Sequence, residues 1–467
     1  MGEEKTSATR RDVLKWAAAT GIVVGAAAAF GGYYAAPPKV VEKTVEKTVK
    51  PTPKALPTED LVLGCQAHFR GAAAALSEAQ YKGTNLGAEK VSAEGGILGR
   101  KIKVIARDEA GTDETVKEYK RLVLEDKIDF YVGLISSGNT PAVGPVAEEL
   151  GVVTLFVDGC TDFLFDKAVL KPHFVFRVTA INSADGIGAA IKCFMSFPEK
   201  LKYAHVHPDY AYGRNVFDHF TVAMHKLNPD VEEVYVGFPP LFETDFTAHL
   251  TAALEAKADI FETACWGGDY IALYKQGLGY GVPAKMQWVS NISHGVTPHY
   301  IEPDHPEGTV GGVHSNWYFT YPDWDLWPPA GDFVGTYWSR YNEWPNFEAQ
   351  GGYDGVYAYK LAVERAYNFL GEWPSDDDII FMLERLGWFG AKGYVQFRPD
   401  NHQGYGNFAN ALTKNLTYGG QTFNAWDLNT VSHIPIEKVC APPYWPLAEP
   451  TRSYDWVEKT WKPGIGI

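Results

Sequence analysis

Two loops in the sequence carry side chains whose types and spacing suit the binding of a small polar molecule. Ser136-Ser137-Gly138-Asn139 follows Gly133 at the end of an apolar run, and its hydroxyls and backbone N–H groups suit a carboxylate or amide oxygen. A plain helix-capping loop is the alternative interpretation. Trp266-Gly267-Gly268-Asp269 follows another apolar run, where Trp266 can stack on a ligand and Asp269 can pair with a cationic group.

Catalysis or metal binding would need the cysteines and histidines. Cys160 as a nucleophile requires a base that lowers its pKa, and the histidines nearest to it in sequence are His173 and His205. His205-Val206-His207 continues a strand into a loop, where we expect the two imidazoles to face opposite ways and not to share a metal. The chain contains neither HExxH nor GxSxG, and no pair of cysteines has CxxC spacing. We therefore expect no catalytic residue, no metal and no cofactor.

Composition restricts the class of protein. The chain has 467 residues, of which 46% are hydrophobic and 21% charged, as is typical of globular proteins of roughly two to three domains. The formal net charge of −15 argues against nucleic acid and against an anionic membrane surface as partners. The five cysteines are an odd number, so at least one thiol is outside any intrachain disulfide, and we expect buried free thiols.

The N-terminal segment indicates export. Thr9-Arg10-Arg11-Asp12-Val13-Leu14-Lys15 resembles the twin-arginine motif, and an uncharged stretch covers 16–38. An ordinary membrane anchor is the alternative, and in both cases the body of the protein lies outside the cytoplasm. The apolar run is about long enough to span a bilayer, which favours retention as an anchor over cleavage. Residues 39–58, with a four-residue repeat and three prolines, predict a linker, with a short coiled coil as the alternative.

Beyond the linker, apolar runs alternate with helical patterns. Strands are predicted at 61–65, 101–106, 129–133 and 152–156, with helices at 81–93, 112–125 and 140–150. The pattern restarts with helices at 184–197, 215–227, 246–257 and 270–277, and strands at 203–206, 231–236 and 259–264. This alternation predicts two α/β units, each a doubly wound parallel sheet, with a crevice at the carboxyl ends of the strands.

Four segments in order resemble one family. They are 94–102 (EGGILGRKI), 107–109 (RDE), 132–138 (VGLISSG) and 208–214 (PDYAYGR). Together they resemble the type I periplasmic-binding-protein fold, in its Leu/Ile/Val-binding, branched-chain amino acid and amide branch, from about residue 60 to 281. The resemblance implies an α/β protein with two doubly wound parallel-sheet lobes joined by three crossovers, near Val178, Val313 and Arg398. Lobe 1 would cover 59–178 plus 319–397, and lobe 2 would cover 179–318 plus 398–467, including a C-terminal strap.

The same resemblance implies a function. Members are extracytoplasmic receptors that capture a small molecule between the lobes and deliver it to the permease subunits of an ABC importer, and we expect a monomer. One alternative is a sensor module of the same fold, although no signalling domain is recognisable in the sequence. Another is an amidohydrolase-type enzyme, for which the sequence offers no motif.

The resemblance also suggests which residues hold the ligand. Ser137, beside Ser136, occupies the position where the family binds a ligand carboxylate. Gly159, Cys160 and Thr161 occupy a loop that offers backbone groups and a threonine hydroxyl. Tyr212 occupies the position of a tyrosine that packs across the ligand, and Trp266 that of an aromatic clamp.

One position departs from the family pattern. Amino-acid binders carry a glutamate near Asn291 that neutralises the ligand's ammonium, and an amide cannot do so. A zwitterion would then need Asp269. This favours amides, urea-like solutes or carboxylates as ligands, with amino acids remaining as the alternative.

A tryptophan-rich segment is an apparent insertion. Its members are Trp317, Trp324, Trp327, Trp338 and Trp344. It predicts either an aromatic wall of the cleft or a cap that packs between the lobes, and packing without ligand contact is the simpler interpretation.

Overall fold

The structure is a computed structural model that describes residues 55–442, apart from 72, 180, 297 and 299, together with 445 and 455–462. The predicted twin-arginine segment, the repeat after it and most of the predicted strap lie outside the described residues. Among the helices that are described, none is both long and apolar enough to cross a membrane.

Lobe 1 is built on a five-stranded sheet. The chain runs through β1 (Leu61–Ala67), α1 (Ala74–Ala93), β2 (Ile102–Asp108), α2 (Thr112–Leu124), β3 (Phe130–Gly133), α3 (Thr140–Leu150), β4 (Thr154–Phe156) and β5 (Val175–Arg177). The strand order is β2-β1-β3-β4-β5, and every neighbouring pair is parallel. β3 and β4 are buried throughout, as expected of strands that are covered by helices on both faces.

Lobe 2 begins with a second set of alternating helices and strands. These are α4 (Asn182–Ser196), β6 (Lys202–Val206), α5 (Ala211–Leu227), β7 (Glu232–Gly237), α6 (Thr247–Glu255), β8 (Ile260–Thr263), α7 (Gly267–Gly279), β9 (Gln287–Ser290), α8 (Ser293–Val296) and β10 (Val310–Gly312). The strands pair in parallel in the order β10-β9-β8-β6-β7.

The chain then returns to lobe 1. It forms α9 (Pro328–Tyr341), α10 (Phe347–Leu370), α11 (Asp376–Leu383), β11 (Gly387–Gly390), β12 (Gly393–Phe397) and β13 (Gly404–Tyr405). The last three strands make a small antiparallel sheet. α9 is joined to α1 by an ion pair between Lys90 and Asp332, and a ring of α10, Tyr359, stacks on Phe130 of β3 with centroids 3.8 Å apart.

The final segment extends lobe 2. It contains β14 (Phe408–Tyr418), β15 (Gln421–Trp426), β16 (Ser432–Ile434) and α12 (Asp455–Thr460). β14 pairs antiparallel with β10, β15 and β16, so the parallel sheet of lobe 2 acquires an antiparallel edge. Trp456 and Val457 of α12 are buried in the core of the same lobe.

The predicted fold class is confirmed. Two α/β lobes built around parallel sheets are present, and the chain passes between them three times, after β5, after β10 and after β13. The antiparallel edge of lobe 2 was not predicted.

The contact between α1 and α10 generates a test. Gly83 lies so close to α10 that a Cβ atom there would be 1.9 Å from the backbone oxygen of Ala349. We expect Gly83→Ala to lower the free energy of unfolding by about 1–3 kcal/mol, because the two helices would have to separate. Gly335→Ala is the matched control, since a Cβ there meets nothing within 4 Å, and it should stabilise the protein by up to about 1 kcal/mol. Urea unfolding followed by circular dichroism measures both, and equal effects would contradict the close approach.

Candidate functional site

A cavity of about 500 Å³ lies between the carboxyl ends of strands from both lobes. From lobe 1 it receives His68 after β1, Ser136 after β3 and Asp158 after β4. From lobe 2 it receives Tyr210 after β6, Trp266 after β8 and Ile292 after β9. Parallel strands of two facing sheets direct their carboxyl-end loops into such a crevice.

A buried carboxylate positions the Ser136 loop. Glu109, which is 1% exposed, accepts hydrogen bonds from the backbone N–H groups of Ile135 and Ser136, each at 3.0 Å. It also accepts one from the side-chain amide of Asn139 at 3.0 Å. Burial alone would lower the pKa of His68, but the carboxylate of Glu109, 3.6 Å away, outweighs it and raises that pKa. The lobe 1 end of the cavity therefore combines an imidazole that favours its charged form with hydroxyl groups.

The second lobe 1 loop is fixed from behind by an arginine. Nη1 of Arg177 donates hydrogen bonds to the carbonyl oxygens of Gly159 and Thr161, each at 2.8 Å. Gly159 has a φ of +62°, and a Cβ atom there would lie 2.2 Å from Thr140. The Thr161 hydroxyl donates to Asn215 at 3.0 Å, so it is engaged within the protein. Gly159 and Thr161 shape this loop but are not among the residues that line the cavity.

Cys160 lines the cavity with a protonated thiol. Burial raises its pKa to about 12, and its Sγ atom contacts the side chains of Ser137 and Asn182. The adjacent imidazole of His314 lies 3.0 Å from Asp158 and also pairs with Asp185. Because both ring nitrogens face carboxylates, His314 is not available as a base for the thiol.

Aromatic side chains form the lobe 2 wall. The indole Nε1 of Trp266 donates to the hydroxyl of Tyr210 at 2.9 Å, and the ring of Phe242 packs edge-on against Trp266 with centroids 5.9 Å apart. Phe242 has a φ of +69°, and its backbone N–H donates to Asp269 at 2.8 Å. Asp269 thus supports the wall from behind and does not line the cavity. Tyr212 completes this wall and is 2% exposed.

Asn291 lies outside the cavity. It is fully buried, and its side-chain amide donates to the carboxylate of Glu262 and, at 2.8 Å, to the backbone oxygen of Thr263. Ile292, one residue later, is the residue that lines the cavity. Any preference against an ammonium group must therefore come from other residues.

The expectation that His205 and His207 face apart is wrong. Both imidazoles lie 2.7 Å from the same carboxylate oxygen of Glu262. Residues two positions apart on an extended chain point to the same side, and only immediate neighbours point to opposite sides.

The structure brings five of the nine predicted site residues to the cavity and leaves four outside it. Those that line it are Ser136, Ser137, Cys160, Tyr212 and Trp266. Those outside are Gly159, Thr161, Asp269 and Asn291. The lining residues that were not predicted include His68, Asp158, Tyr210, Leu241 and Phe242. Two of them could have been predicted from their place in the sequence, because His68 and Asp158 each follow a predicted strand as Ser136 does.

None of the five tryptophans of the tryptophan-rich segment lines the cavity. Trp338 and Trp344 stack with centroids 4.0 Å apart, and Trp317 packs edge-on against Phe333 at 5.7 Å. The segment therefore contributes aromatic packing, and its wall interpretation is not supported.

Comparison with known proteins identifies the family. Residues 62–412 match the family described as periplasmic binding protein, and the chain belongs to it. This confirms the resemblance found in the sequence. The amino acid binding protein of Pseudomonas aeruginosa is 28% identical over 202 residues, which are 43% of this chain and 52% of that protein. The match thus covers about half the length of such a relative.

Solved structures share the fold. The ABC transporter substrate-binding protein from Sphaerobacter thermophilus superposes with a TM-score of 0.67 at 19% identity, covering 81% of this chain and 98% of that one. A solute binding protein of an ABC transporter from R. palustris, in complex with 4-hydroxybenzoate, gives 0.67 at 17% identity, covering 80% and 97%.

The thiols provide a test of the non-catalytic interpretation of Cys160. All five cysteines are free and buried, and burial raises the pKa of each. We expect none to react rapidly with a disulfide reagent in the native protein at neutral pH, and all five to react after unfolding in guanidinium. Absorbance of the released thiol counts them. Fast modification of Cys160 in the native protein, mapped by mass spectrometry, would contradict the assignment.

Proposed function

We propose that the chain is the extracytoplasmic substrate-binding protein of an ABC importer and that it binds a small carboxylic acid with an apolar or aromatic body. The transport role is supported by family membership and by the structural neighbours, which are substrate-binding proteins of ABC transporters. Export by the twin-arginine pathway, retention as an anchor and a monomeric state remain predictions from the sequence.

The distribution of polar groups around the cavity carries the ligand proposal. The hydroxyls of Ser136 and Ser137 and the imidazole of His68 are at the lobe 1 end, where they can donate hydrogen bonds to a carboxylate. Opposite them, Tyr210, Phe242 and other apolar or aromatic side chains form a wall that suits a hydrocarbon body.

An ammonium group finds no free carboxylate in this cavity. Among the described residues that line it, Asp158 is the only acidic one. Its carboxylate is paired with His314 at 3.0 Å. Burial alone would raise the pKa of Asp158, but His314 lowers it, so the two groups form an ion pair. A zwitterion would have to compete with His314, which favours a carboxylate without an ammonium group.

An amino acid is the second candidate. The relative from Pseudomonas aeruginosa is an amino acid binding protein, and Asp158 would serve as the ammonium partner if His314 released it. In either case, closure of the lobes on the ligand would create the surface that a permease recognises.

Matched ligand pairs test the ligand class. Isothermal titration calorimetry with benzoate and benzamide isolates the carboxylate, and leucine and 4-methylpentanoate isolate the ammonium group. We expect the two carboxylates to bind more tightly than benzamide and leucine. Tighter binding of leucine than of 4-methylpentanoate would establish the amino-acid alternative, and failure of all four would count against the receptor proposal.

Ser137→Ala should weaken carboxylate binding about 10- to 100-fold, because a hydrogen bond to a charged group is lost. The exposed Ser339→Ala is the control.

His68 predicts a pH dependence of binding. Its folded-state pKa is raised, so the charged form prevails at acidic pH and is lost as the pH rises through that value. Affinity for benzoate should therefore decrease as the pH is raised above the ordinary histidine pKa of about 6.5 in the wild type. His68→Gln should bind more weakly at the acidic end and show a flat profile over the same range. A wild-type profile as flat as that of the variant would remove His68 from the ligand contact.

A further inference from the structure

We propose that lobe 2 contains a binding site for a divalent transition-metal ion, formed by His205, His207 and Glu262. One donor atom from each of these side chains lies within 4.8 Å of the other two. Imidazole nitrogens and a carboxylate oxygen are the donors that Zn²⁺ and its first-row neighbours prefer, whereas Mg²⁺ and Ca²⁺ prefer oxygen alone. The site is separate from the proposed ligand cavity, which none of the three residues lines.

Strand pairing places the donors. β6 and β8 are adjacent parallel strands, and His205 lies directly opposite Glu262 in their register. His207 is two residues further along, so it projects to the same side as His205. The two imidazole rings are nearly parallel, with centroids 5.9 Å apart and planes 19° apart. The central strands of the lobe thus direct all three side chains toward one point.

The three donor atoms lie closer together than they would around a bound metal ion. His205 Nδ1 and His207 Nε2 both lie 2.7 Å from Oε2 of Glu262. The approach of His207 does not have hydrogen-bond geometry, and its Nε2 atom has no hydrogen-bond partner in the described part of the chain. Donors around a tetrahedral Zn²⁺ are roughly 3.4 Å apart, given bonds of about 2.1 Å, so the contacts would need to widen by roughly 0.7 Å.

The surroundings suit a bound ion. His205, His207 and Glu262 are each at most 1% exposed. Asn291 donates to the other oxygen of Glu262, as outer-shell groups do when they orient a metal-binding carboxylate. Asn291 Oδ1 is buried without a hydrogen-bond partner among the described residues and offers a fourth donor if the amide turns.

Apolar rings separate the site from water. Phe217 and Phe220 of α5 pack edge-on against His205, with centroids 5.2 and 5.8 Å away, and Phe238 lies 6.0 Å from His207. An ion enclosed in this way has no access for a substrate. Its role would be structural, joining β6 to β8.

A second group of possible ligands carries less weight. Asp158, Cys160 and His314 also converge. However, both nitrogens of His314 face carboxylates, those of Asp158 and Asp185, so its ring is already engaged. Asp158 and Cys160 also line the proposed ligand cavity, so this group belongs to that site.

Metal analysis of the purified protein tests the proposal. The buried site requires two loading routes, expression with added zinc and refolding from guanidinium in the presence of Zn²⁺, each followed by gel filtration and inductively coupled plasma mass spectrometry. We expect a single ion per chain by at least one route, and loss of that ion in His207→Gln and in Glu262→Gln. His225→Gln is the matched control, since His225 also pairs with a glutamate, Glu233, but is exposed. It should keep the ion.

Two further measurements separate metal binding from folding. Circular dichroism establishes whether each variant folds, and if either does not, Co²⁺ in the refolded wild type should give the visible absorption of a low-coordinate nitrogen and oxygen site. Zinc-loaded protein should melt at a higher temperature than protein refolded with a chelator, with unchanged affinity for cavity ligands. Metal-free protein by both routes, or equal metal content in a folded His207→Gln, would overturn the proposal in favour of a histidine–carboxylate cluster without metal.

Discussion

The buried guanidinium of Arg177 holds together the parts that form the cavity. It lies at the end of β5, where the chain first leaves lobe 1, and donates to the carbonyls of Gly159 and Thr161 on either side of Cys160. Its Nε atom donates to Gln403 at 2.6 Å, close to the third passage between the lobes. A buried charge is costly unless its partners stay in place, and desolvation lowers the pKa of Arg177 accordingly. The cavity loop and two inter-lobe segments are therefore constrained by one side chain.

A second set of charges connects the lobes beneath the cavity. Asp158 and Glu348 belong to lobe 1, Asp185 to lobe 2, and His314 follows β10 where the chain crosses between them. Burial and the charge of Asp158 raise the pKa of Glu348 well above its ordinary value, which favours its neutral form. Burial likewise raises the pKa of Asp185 to about 6, although His314 opposes it. The charge state of the junction thus depends on residues from both lobes, one of which, Asp158, also lines the cavity.

The parts of the fold that could be predicted are those that depend on local pattern. Apolar runs predict the strands, and loops that follow strands in a parallel sheet meet at one edge, where Ser136, Ser137 and Cys160 line the cavity. The direction of single side chains after a strand was less accessible. Asn291 and Ile292 are adjacent, and one step of the chain decides which of them reaches the cavity. The charge of Asp269 suggests a ligand contact because a sequence shows which side chains are charged. A sequence does not show that the backbone N–H of Phe242 donates to this carboxylate.

Pairing between strands that are far apart in the sequence was the other feature that local pattern could not predict. β14 begins at Phe408, far along the chain from its partner β10, and no turn joins these two strands. Arg177 lies in a short strand whose sequence has no distinctive feature. Only the folded chain shows that its guanidinium group donates to the Gly159 loop and to Gln403.

The two ends of the cavity differ in how readily their residues can be replaced during evolution. The lobe 1 end is held by Glu109 and Arg177, each of which serves several backbone groups, so exchange of either would disturb many contacts together. The opposite wall presents Leu241, Phe242 and Ile292, whose side chains mainly provide shape. Replacements among them would alter the volume and contour offered to the ligand body while leaving the polar anchor intact. This division would let the ligand preference change by small steps, each of which preserves the same scaffold.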